Sequence, residues 1–512
     1  MKGSGPFHSI LFGRPADAAE LADTSFLSDL NLDQVFDAVA AGREEYDLAP
    51  LFRMPLRSVR AVRHRHEVLR DLETEAVAAA VAEFAQRMRD MRKHLEQAGK
   101  LHHRYQKESW FLDAVTIYCA AVGALAHALA AADLGSAGFR GFRDYLAGYT
   151  TSAAFTGLAA ETGQLADRLA TVRYCINIKG SRVRVTRHQD EDDYSAEVVR
   201  TFSKFARAAV KDYRVGFRAG VEMNHVEERI VELVARLFPG EFEALDEFCA
   251  RHAGYLDEVI RAFDREVQFY AAYLEFVAPL RAAGLDFCYP EVTADDKEVA
   301  VGGGFDLALA AKLRPEPAGM VRNDFHLTGA ERIIVVTGPN HGGKTTFARM
   351  FGQLFYLASL GYPVPAGRAR LFLPDRVFTH FEREEDLATL RGEFEDELVR
   401  IRAVLEQATG DSVVVMNESF GSTTLADATA VGERVLDRLT GLGLLAVYVT
   451  FVDELASLNQ ACVSMVGTVP PDNPAERTFR FVRRPADGLA YAAAIAGKYG
   501  LTYARLKERL AA

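Results

Sequence analysis

The amino-acid sequence predicts a multidomain protein in which an α-helical region is followed by an α/β domain. Two observations carry this prediction. From about residue 30 to 290 the chain is mostly helix-forming, as in "ETEAVAAAVAEFAQRMRDMRKHLEQAGKLHHRYQ", which lacks proline. Farther along, apolar strands such as "RIIVVTG", "SVVVMN" and "LLAVYVTF" alternate with helical segments. That alternation is typical of a largely parallel sheet covered by helices.

The charge and cysteine content exclude several classes of protein. The formal net charge of −11 argues against a uniformly basic nucleic-acid coat, although a local basic patch remains compatible with it. Five scattered cysteines without a CxxC pair predict reduced thiols in a cytoplasmic protein, and neither a disulfide framework nor a zinc site. The most apolar stretch, 114–132, is alanine-rich and contains His127. We therefore expect a buried bundle helix there and no membrane span.

The helical region contains two long arms. "EMNHVEERIVELVARLF" carries one apolar stripe at steps of three and four, formed by Met223, Val226, Ile230, Leu233 and Leu237. "DEFCARHAGYLDEVIRAFDREVQFYAAYLEFVAPL" is expected to continue as a second long helix. Four histidines lie in charged helical sequence without metal-ligand spacing, so we expect them to face solvent. They are His64, His66, His102 and His103.

One segment interrupts the helices. Residues 173–189, "RYCINIKGSRVRVTRHQ", alternate apolar and polar positions around "KGS", which predicts a β-hairpin. Its apolar face would hold Ile176, Ile178, Val183 and Val185. The segment has five cations and no acid. Two interpretations stay open: a solvated ribbon face, or DNA contact through Lys179, Arg182 and Arg184.

The stretch "VVTGPNHGGKTTFARM", 335–350, contains GxxxxGK[ST] between a predicted strand and a predicted helix. Glycines let backbone N–H groups surround phosphates, and the helix N-terminus adds positive potential. Lys344 would neutralise the β- and γ-phosphate oxygens of ATP, and the Thr345 hydroxyl would ligate Mg²⁺. The predicted ATP-binding residues are Gly338, Pro339, Asn340, His341, Gly342, Gly343, Lys344, Thr345 and Thr346.

A second nucleotide motif should be an apolar strand that ends in an acid, and "SVVVMNES" is such a strand. Glu418 is predicted to be the general base that orients the attacking water; the alternative is a surface acid at a strand end. Asn417 stands where the Walker B motif usually has aspartate. Its amide can hydrogen-bond a metal-bound water but carries no charge. Asn417 and Thr345 are the predicted Mg²⁺ contacts.

These residues carry a resemblance to the MutS family of mismatch-repair ATPases. "TGPNHGGKTT" resembles TGPNMGGKST, with His341 in place of methionine, and "LASLGYPVPA" is similar to the family's GxxVPA. "NESFGSTTLADA" resembles DExGRGTSTxDG, and "FTHFEREEDLATLRGEFEDEL" resembles FTRxGxxDDL…STFMxEM at Asp386, Leu387, Phe394 and Glu397. "VRNDFHL" is similar to the segment that helps to hold adenine. "SDLNLDQVF" resembles the start of the family's core domain, so the resemblance covers about residues 28 to 510.

The resemblance implies an architecture. Its domains would be an N-terminal segment at 1–27, a helical core and lever domain at 28–295 with hairpin 173–189 as a reduced clamp, and an ABC-type ATPase domain at 296–512. The protein would lack the mismatch-recognition and connector domains. ATP binding would close a homodimer, in which a trans signature loop reaches the partner's γ-phosphate. That loop would contain Ser422, Thr423, Thr424 and Asp427. For Thr423 and Thr424, helix capping is the alternative.

Two hypotheses about function remain. The first is a cytoplasmic DNA-binding ATPase of DNA repair or recombination that hydrolyses ATP slowly and grips duplex or branched DNA. The second is a hydrolysis-poor ATP switch or scaffold that engages a protein or ribonucleoprotein partner. Asn417 favours the second, as does Phe451, where the family usually has histidine after threonine. Glu418 and the basic hairpin favour the first.

Overall fold

The structure is a computed structural model that describes residues 7–13, 24–180, 182–189, 223–314, 319–382, 392–470, 476–486 and 507. The chain divides into two compact units. The first comprises Met1–Phe7, Glu75–Leu134 and Arg140–Asp264, and the second comprises His8–Thr74, Gly135–Phe139 and Arg265–Ala512. This division groups residues 28–74 with the ATPase half of the chain. The predicted domain boundaries at 1–27, 28–295 and 296–512 therefore remain predictions.

The first unit is helical. Its helices are α4 (Glu75–Lys100), α5 (Arg104–Ala131), most of α6 (Ala137–Thr150), α7 (Ala153–Ala170), α8 (His225–Leu237), α9 (Pro239–Arg251) and the start of α10 (Glu258–Ala282). Helix α4 packs along α5. Its buried residues recur at steps of four and three, which gives α4 one continuous apolar face; they include Val77, Val81, Phe84, Met88 and Met91.

Helix α5 is the one helix among the described residues that is long and apolar enough to cross a membrane by length and composition, a test that core helices also pass. One face of α5 is buried within the unit, through Val115, Tyr118, Val122, Leu125 and Leu129. The expected helix at 114–132 is confirmed, and 39% of its most apolar window is buried.

The two predicted arms differ from the structure. The stripe of α8 is only partly covered, with Val226 45% exposed, and the buried residues of the helix are Val234 and Ala235. The second arm is two helices, because the chain leaves helical geometry between Arg251 and Glu258. Composition favoured helix throughout "HAGYLD", but Gly254 weakens helix there and the Asp257 carboxylate accepts hydrogen bonds from the N–H groups of Val259 and Ile260 at the start of α10.

The predicted hairpin is confirmed as β1 (Tyr174–Lys179) paired antiparallel with β2 (Arg182–Arg187). Its register opposes Ile176 to Val185 and Ile178 to Val183, so the four apolar residues share one face. The other face carries Lys179, Arg182 and Arg184. Arg187 attaches the ribbon to the helical unit: its Nε donates to the Leu237 carbonyl at 3.0 Å, and its guanidinium lies over the Phe238 ring.

The second unit contains a six-stranded sheet in the order β12-β11-β6-β10-β9-β8. The strands are β6 (Ile333–Thr337), β8 (Val377–Phe381), β9 (Val413–Asn417), β10 (Leu445–Val449), β11 (Cys462–Gly467) and β12 (Phe481–Arg483), all parallel except β12. Every residue of β6, β9 and β10 is buried. This is why their sequences are apolar without alternation. The longer helices among its described residues are α12 (Lys344–Ser359), α13 (Glu393–Gln407) and α14 (Leu425–Leu442).

Among the described residues from 291 to 327, short strands and a helix form that sequence analysis did not predict. A four-stranded sheet has the order β3-β7-β4-β5, with strands β3 (Glu291–Thr293), β4 (Val299–Gly304), β5 (Asn323–Leu327) and β7 (Arg368–Phe372), and α11 (Leu307–Lys312) follows β4. The short early helices α1 (Ser25–Asp29), α2 (Leu32–Ala40) and α3 (Val59–Leu72) belong to the same unit. Gln353 of α12 donates to the Leu30 carbonyl at 2.9 Å, which fixes the early segment on the nucleotide-motif helix.

Candidate functional site

The phosphate-binding motif forms a tight loop between β6 and α12. Gly338, His341 and Gly343 have φ values of +126°, +58° and +90°. A Cβ on Gly338 would lie 2.8 Å from the backbone nitrogen of Gly467, so only glycine fits there. Gly343 is the N-cap of α12, which begins at Lys344. The loop therefore turns the positive end of α12 toward its own concave side.

Lys344 is the buried cation of this loop, 5% exposed. Its Nζ donates to the Gly338 carbonyl at 3.3 Å and to Asn340 Oδ1 at 3.2 Å. Burial lowers the pKa of Lys344 from its ordinary value, and the Glu418 carboxylate, 3.6 Å away, opposes that shift. Both contacts of Lys344 Nζ are long. The oxygens of a bound phosphate group would be stronger acceptors for the ammonium than these two loop oxygens.

Glu418 follows β9 in a strained turn. Its φ is +51° and that of Phe420 is +66°, values that side chains larger than glycine rarely adopt. Its N–H donates to the Val449 carbonyl of β10 at 3.0 Å, and its side chain is 42% exposed. The carboxylate therefore reaches both Lys344 and solvent. Strain of this kind is frequent at functional sites.

Asn417 ends β9 and is buried, 6% exposed. Its Oδ1 and the Thr337 hydroxyl have no hydrogen-bond partner within the described part of the chain. A buried acceptor without a partner is costly unless a ligand or a bound water satisfies it. Asn417 and Thr345 both offer side-chain oxygens. Mg²⁺ prefers oxygen ligands, so the residues present fit that ion.

A cavity of about 670 Å³ opens beside the loop. Its lining includes six predicted residues at the loop and Glu418: Asn340, His341, Gly343, Lys344, Thr345, Thr346 and Glu418. It also includes Val321 and Asn323 of the "VRNDFHL" segment. The apolar residues that sequence analysis did not single out are Phe305, Leu309, Leu313, Met320, Phe347, Met350 and Phe479. The volume and the mixed lining are typical of a small-molecule site.

A buried polar cluster holds the turn that contains Glu418. Glu397 of α13 is 1% exposed and accepts from the Phe420 N–H and the Ser422 hydroxyl, both at 3.0 Å. The Nε2 of His380 donates to the Glu397 carbonyl, because a carbonyl can only accept, and Nδ1 lies 2.7 Å from the Ser419 hydroxyl. Glu397 and Phe394 thus have structural roles here, while Asp386 and Leu387 lie outside the described residues.

The predicted trans signature loop does not line this cavity. Thr424 is the N-cap of α14: its hydroxyl accepts from the Asp427 N–H and donates to the Asp427 carboxylate. The capping interpretation is therefore confirmed for Thr424. Ser422, Thr424 and Asp427 are exposed, and Thr423 is half-buried. The trans role remains a prediction, as does the DNA contact of the hairpin, which belongs to the other unit.

A parallel sheet with a phosphate-binding loop at the carboxyl end of one strand, and an acid at the end of another, defines a P-loop α/β domain. Residues 334–507 match the family model described as MutS domain V. The chain is 30% identical over 241 residues to the DNA mismatch repair protein MutS of Granulibacter bethesdensis, and 32% identical over 245 residues to that of Dinoroseobacter shibae. Over its C-terminal part the chain is therefore similar to domain V of the MutS family.

These matches cover only part of this chain and a smaller part of each relative. They cover 46% of this chain, but only 25% and 27% of the two relatives. A third relative, the DNA mismatch repair protein MutS of Psychrobacter cryohalolentis, is 37% identical over 130 residues, 25% of this chain and 12% of its own length. The chain thus matches about a quarter of the length of the first two relatives and less of the third. The similarity describes its domain V and not the whole of a relative.

Proposed function

We propose that this chain is an ATPase of DNA repair or recombination that binds ATP with Mg²⁺, hydrolyses it slowly and closes as a cytoplasmic homodimer on duplex or branched DNA. The observation that carries the proposal is the buried ammonium of Lys344 beside the exposed carboxylate of Glu418, at the mouth of a cavity large enough for a nucleotide. The similarity of residues 334–507 to MutS domain V supports a setting in DNA repair.

Each residue of the site would have a separate role in phosphoryl transfer. The N–H groups of the loop and Lys344 would bind the phosphates and offset their charge. Thr345 and the Asn417 side chain would hold Mg²⁺ and its waters, and the bound ion would neutralise charge that develops on the phosphate oxygens. Glu418 would accept a hydrogen bond from the attacking water and orient it. The cluster around Glu397 would keep the Glu418 turn in place.

Two features support slow turnover. Asn417 provides no negative charge where an aspartate would attract Mg²⁺ more strongly. Phe451 is 49% exposed, has no imidazole to offer to a γ-phosphate, and does not line the cavity. Because positioning and electrostatic stabilisation supply most of the rate in phosphoryl transfer, the loss of such groups costs orders of magnitude.

The same two features favour a second candidate function. In it the chain binds ATP, scarcely hydrolyses it, and acts as a switch or scaffold for a protein or ribonucleoprotein partner. The two candidates share the nucleotide site and differ in turnover and in the partner. Slow hydrolysis coupled to DNA binding supports the first, and tight ATP binding without either supports the second.

One experiment tests both. ATP binding, ATP turnover and binding to duplex, mismatched, forked and junction DNA are measured side by side for the wild type and for Lys344→Ala. Loss of a charge-assisted contact should weaken ATP binding by about ten- to a hundredfold without unfolding the protein. Equal ATP binding by the variant would contradict the assignment of the site. A strong preference for mismatched DNA would indicate a mismatch-recognition element outside the basic hairpin.

A further inference from the structure

A second cavity, which we call the β8 cavity, lies beside the strand that ends the order of the six-stranded sheet. Its volume is about 400 Å³, and among the described residues no side chain lines both this cavity and the one at the phosphate-binding loop. The buried side chains of Phe26, Tyr356 and Val377 form an apolar part of its lining. The volume and the mixed lining are typical of a small-molecule site.

The charged residues that line the β8 cavity are three arginines and one aspartate: Arg57, Arg376, Arg400 and Asp375. Two of these have partners within the fold. Arg400 Nε donates to Asp396 at 3.0 Å, and the Asp375 carboxylate accepts from the Ser412 hydroxyl at 2.8 Å. Arg57 and Arg376 are exposed, and within the described part of the chain neither has an ion-pair partner. The cavity therefore carries an excess of positive charge, with two guanidinium groups that an anion can reach.

The backbone of β8 adds hydrogen-bond donors to the same cavity. Among the described strands β8 pairs only with β9, and the Arg376 carbonyl accepts from the N–H of the first residue of β9 at 2.9 Å. Because backbone polar groups alternate in direction along a strand, those of Val377, Thr379 and Phe381 face away from β9. The Phe381 carbonyl accordingly accepts from Arg400 at 2.9 Å. Val377 and Thr379 line the cavity, so their N–H groups would be donors for a bound anion.

We propose that the β8 cavity binds a small organic carboxylate, with its charged group on Arg57 and Arg376 and its apolar body against the buried side chains. Guanidinium groups bind carboxylates through paired, charge-assisted hydrogen bonds. A phosphate monoester is disfavoured, because its second negative charge would be repelled by the nearby carboxylate of Asp375. The β8 cavity is separate from the proposed nucleotide site, so the two proposals can fail independently.

Phenylacetate is a suitable probe, because it joins one carboxylate to one phenyl ring. Saturation-transfer NMR with the full chain should detect its binding, with a Kd on the order of millimolar or tighter for so small a ligand. Phenylacetamide has the same shape without the charge, and acetate has the charge without the ring. Each should bind about tenfold more weakly than phenylacetate. Tighter binding of phenyl phosphate than of phenylacetate would overturn the choice of a carboxylate.

Variants at exposed positions of the lining locate the bound probe. Arg57→Gln and Arg376→Gln should each weaken phenylacetate binding about tenfold and leave phenylacetamide binding unchanged, because they remove only charge. Ala403→Phe, at an exposed position of α13 that lines the cavity, should prevent the binding of both ligands by filling the space. Arg402→Gln is the matched control and should bind phenylacetate as the wild type does, because Arg402 is an exposed cation of α13 outside the lining.

Three results would overturn the proposed site. The first is phenylacetate binding that is unchanged in Arg57→Gln, Arg376→Gln and Ala403→Phe. The second is binding that is lost in Lys344→Ala and retained in the two arginine variants, which would place the anion at the phosphate-binding loop. The third is failure of the wild type to bind phenylacetate while the same protein binds ATP, which would leave the proposed nucleotide site intact.

Discussion

Asn417 is the residue at which this site departs most from the usual chemistry of its motif. Its amide oxygen is buried without a partner among the described residues, beside the strained turn of Glu418. An aspartate has nearly the same shape and would add one negative charge toward Mg²⁺. Asn417→Asp should therefore raise the rate of ATP hydrolysis by about ten- to a hundredfold in a steady-state phosphate-release assay.

The double variant Asn417→Asp, Glu418→Gln is the control for this prediction, because it should remain inactive if the gained turnover comes from this site. A lower rate in Asn417→Asp would mean that the amide is adapted to its position and that slow hydrolysis has another cause. If neither the wild type nor Asn417→Asp hydrolyses ATP while both bind it tightly, the switch function displaces the ATPase.

His66 offers a prediction about pH. It was expected to face solvent, but it is 5% exposed and its Nε2 has no partner among the described residues. Burial, assisted by Arg70, lowers the pKa of His66 from 6.5 to about 4. The unfolded chain therefore takes up a proton first as pH falls. Stability is complete above about pH 6.5 and is lost by up to about 3 kcal/mol as pH falls toward 4.

Urea unfolding at a series of pH values measures this effect. The variant His66→Gln cannot take up a proton, so its free energy of unfolding should lack the loss that the wild type shows between pH 6.5 and 4. His102→Gln, at an exposed position, should behave as the wild type does. Identical pH profiles for the wild type and His66→Gln would show that His66 is not held neutral by the fold.

At the scale of single residues, sequence reasoning found what local motifs encode. The loop residues and Glu418 were predicted because their spacing follows from how a backbone surrounds phosphates. Phe479 was missed because it lies about 135 residues from the loop along the chain and in no motif. The burial of His66 was missed because charged neighbours in the sequence do not show which face of a helix is covered.

At the scale of elements, the hairpin separates its two kinds of side chain onto two faces. Lys179, Arg182 and Arg184 share the face opposite the apolar residues, and no acid lies between 173 and 189. If this face binds DNA, each lost phosphate contact should reduce the slope of log affinity against log salt by roughly one. Titration of labelled duplex at several salt concentrations, with Lys179→Ala, Arg182→Ala and Arg184→Ala, measures it.

Arg229→Ala is the matched control for the hairpin, because Arg229 is an exposed cation on α8 that pairs with Glu232. It should leave both affinity and salt slope unchanged. Matched and mismatched duplexes should bind alike. Unchanged slopes in all three hairpin variants would support the other interpretation, that of a solvated ribbon face.

Helices and strands with a strong local sequence pattern were predicted, whereas strands whose pairing depends on residues far away in the sequence were not. The strands β6, β9 and β10 were identified because a fully buried parallel strand needs an unbroken apolar run. The four-stranded sheet was missed because β3 pairs with β7, about 75 residues farther along the chain. Its strands are also short, and β4 ends in three glycines. The break between α9 and α10 was missed because helix propensity outweighs a single glycine and an N-capping aspartate in a composition argument.

At the scale of the whole molecule, two exposed apolar residues follow central strands of the sheet that holds the site. Leu425, at the start of α14, is 59% exposed, and Phe451, just after β10, is 49% exposed. Ser422, Thr424 and Asp427 are exposed beside Leu425 and do not line the cavity of their own chain. Ser422 and Thr424 already donate to Glu397 and Asp427 within the chain. Their exposure still makes them accessible to a second copy, as the shared-site hypothesis requires.

We therefore expect ATP to favour a dimer. Glu418→Gln should bind ATP and retain it, because the substitution removes the carboxylate that orients water and leaves Lys344 and the loop intact. Light scattering of this variant should give a monomer mass without nucleotide and a dimer mass with ATP and Mg²⁺.

In the Glu418→Gln background, Leu425→Glu should prevent the dimer, since it places a charge in the apolar contact. It should leave the affinity of the monomer for ATP unchanged, because Leu425 does not line the cavity. Val399→Glu, on the exposed face of α13, is the matched control and should dimerise as the parent does. A monomer with and without ATP would contradict the shared site, and a dimer in both states would mean that ATP does not drive the association.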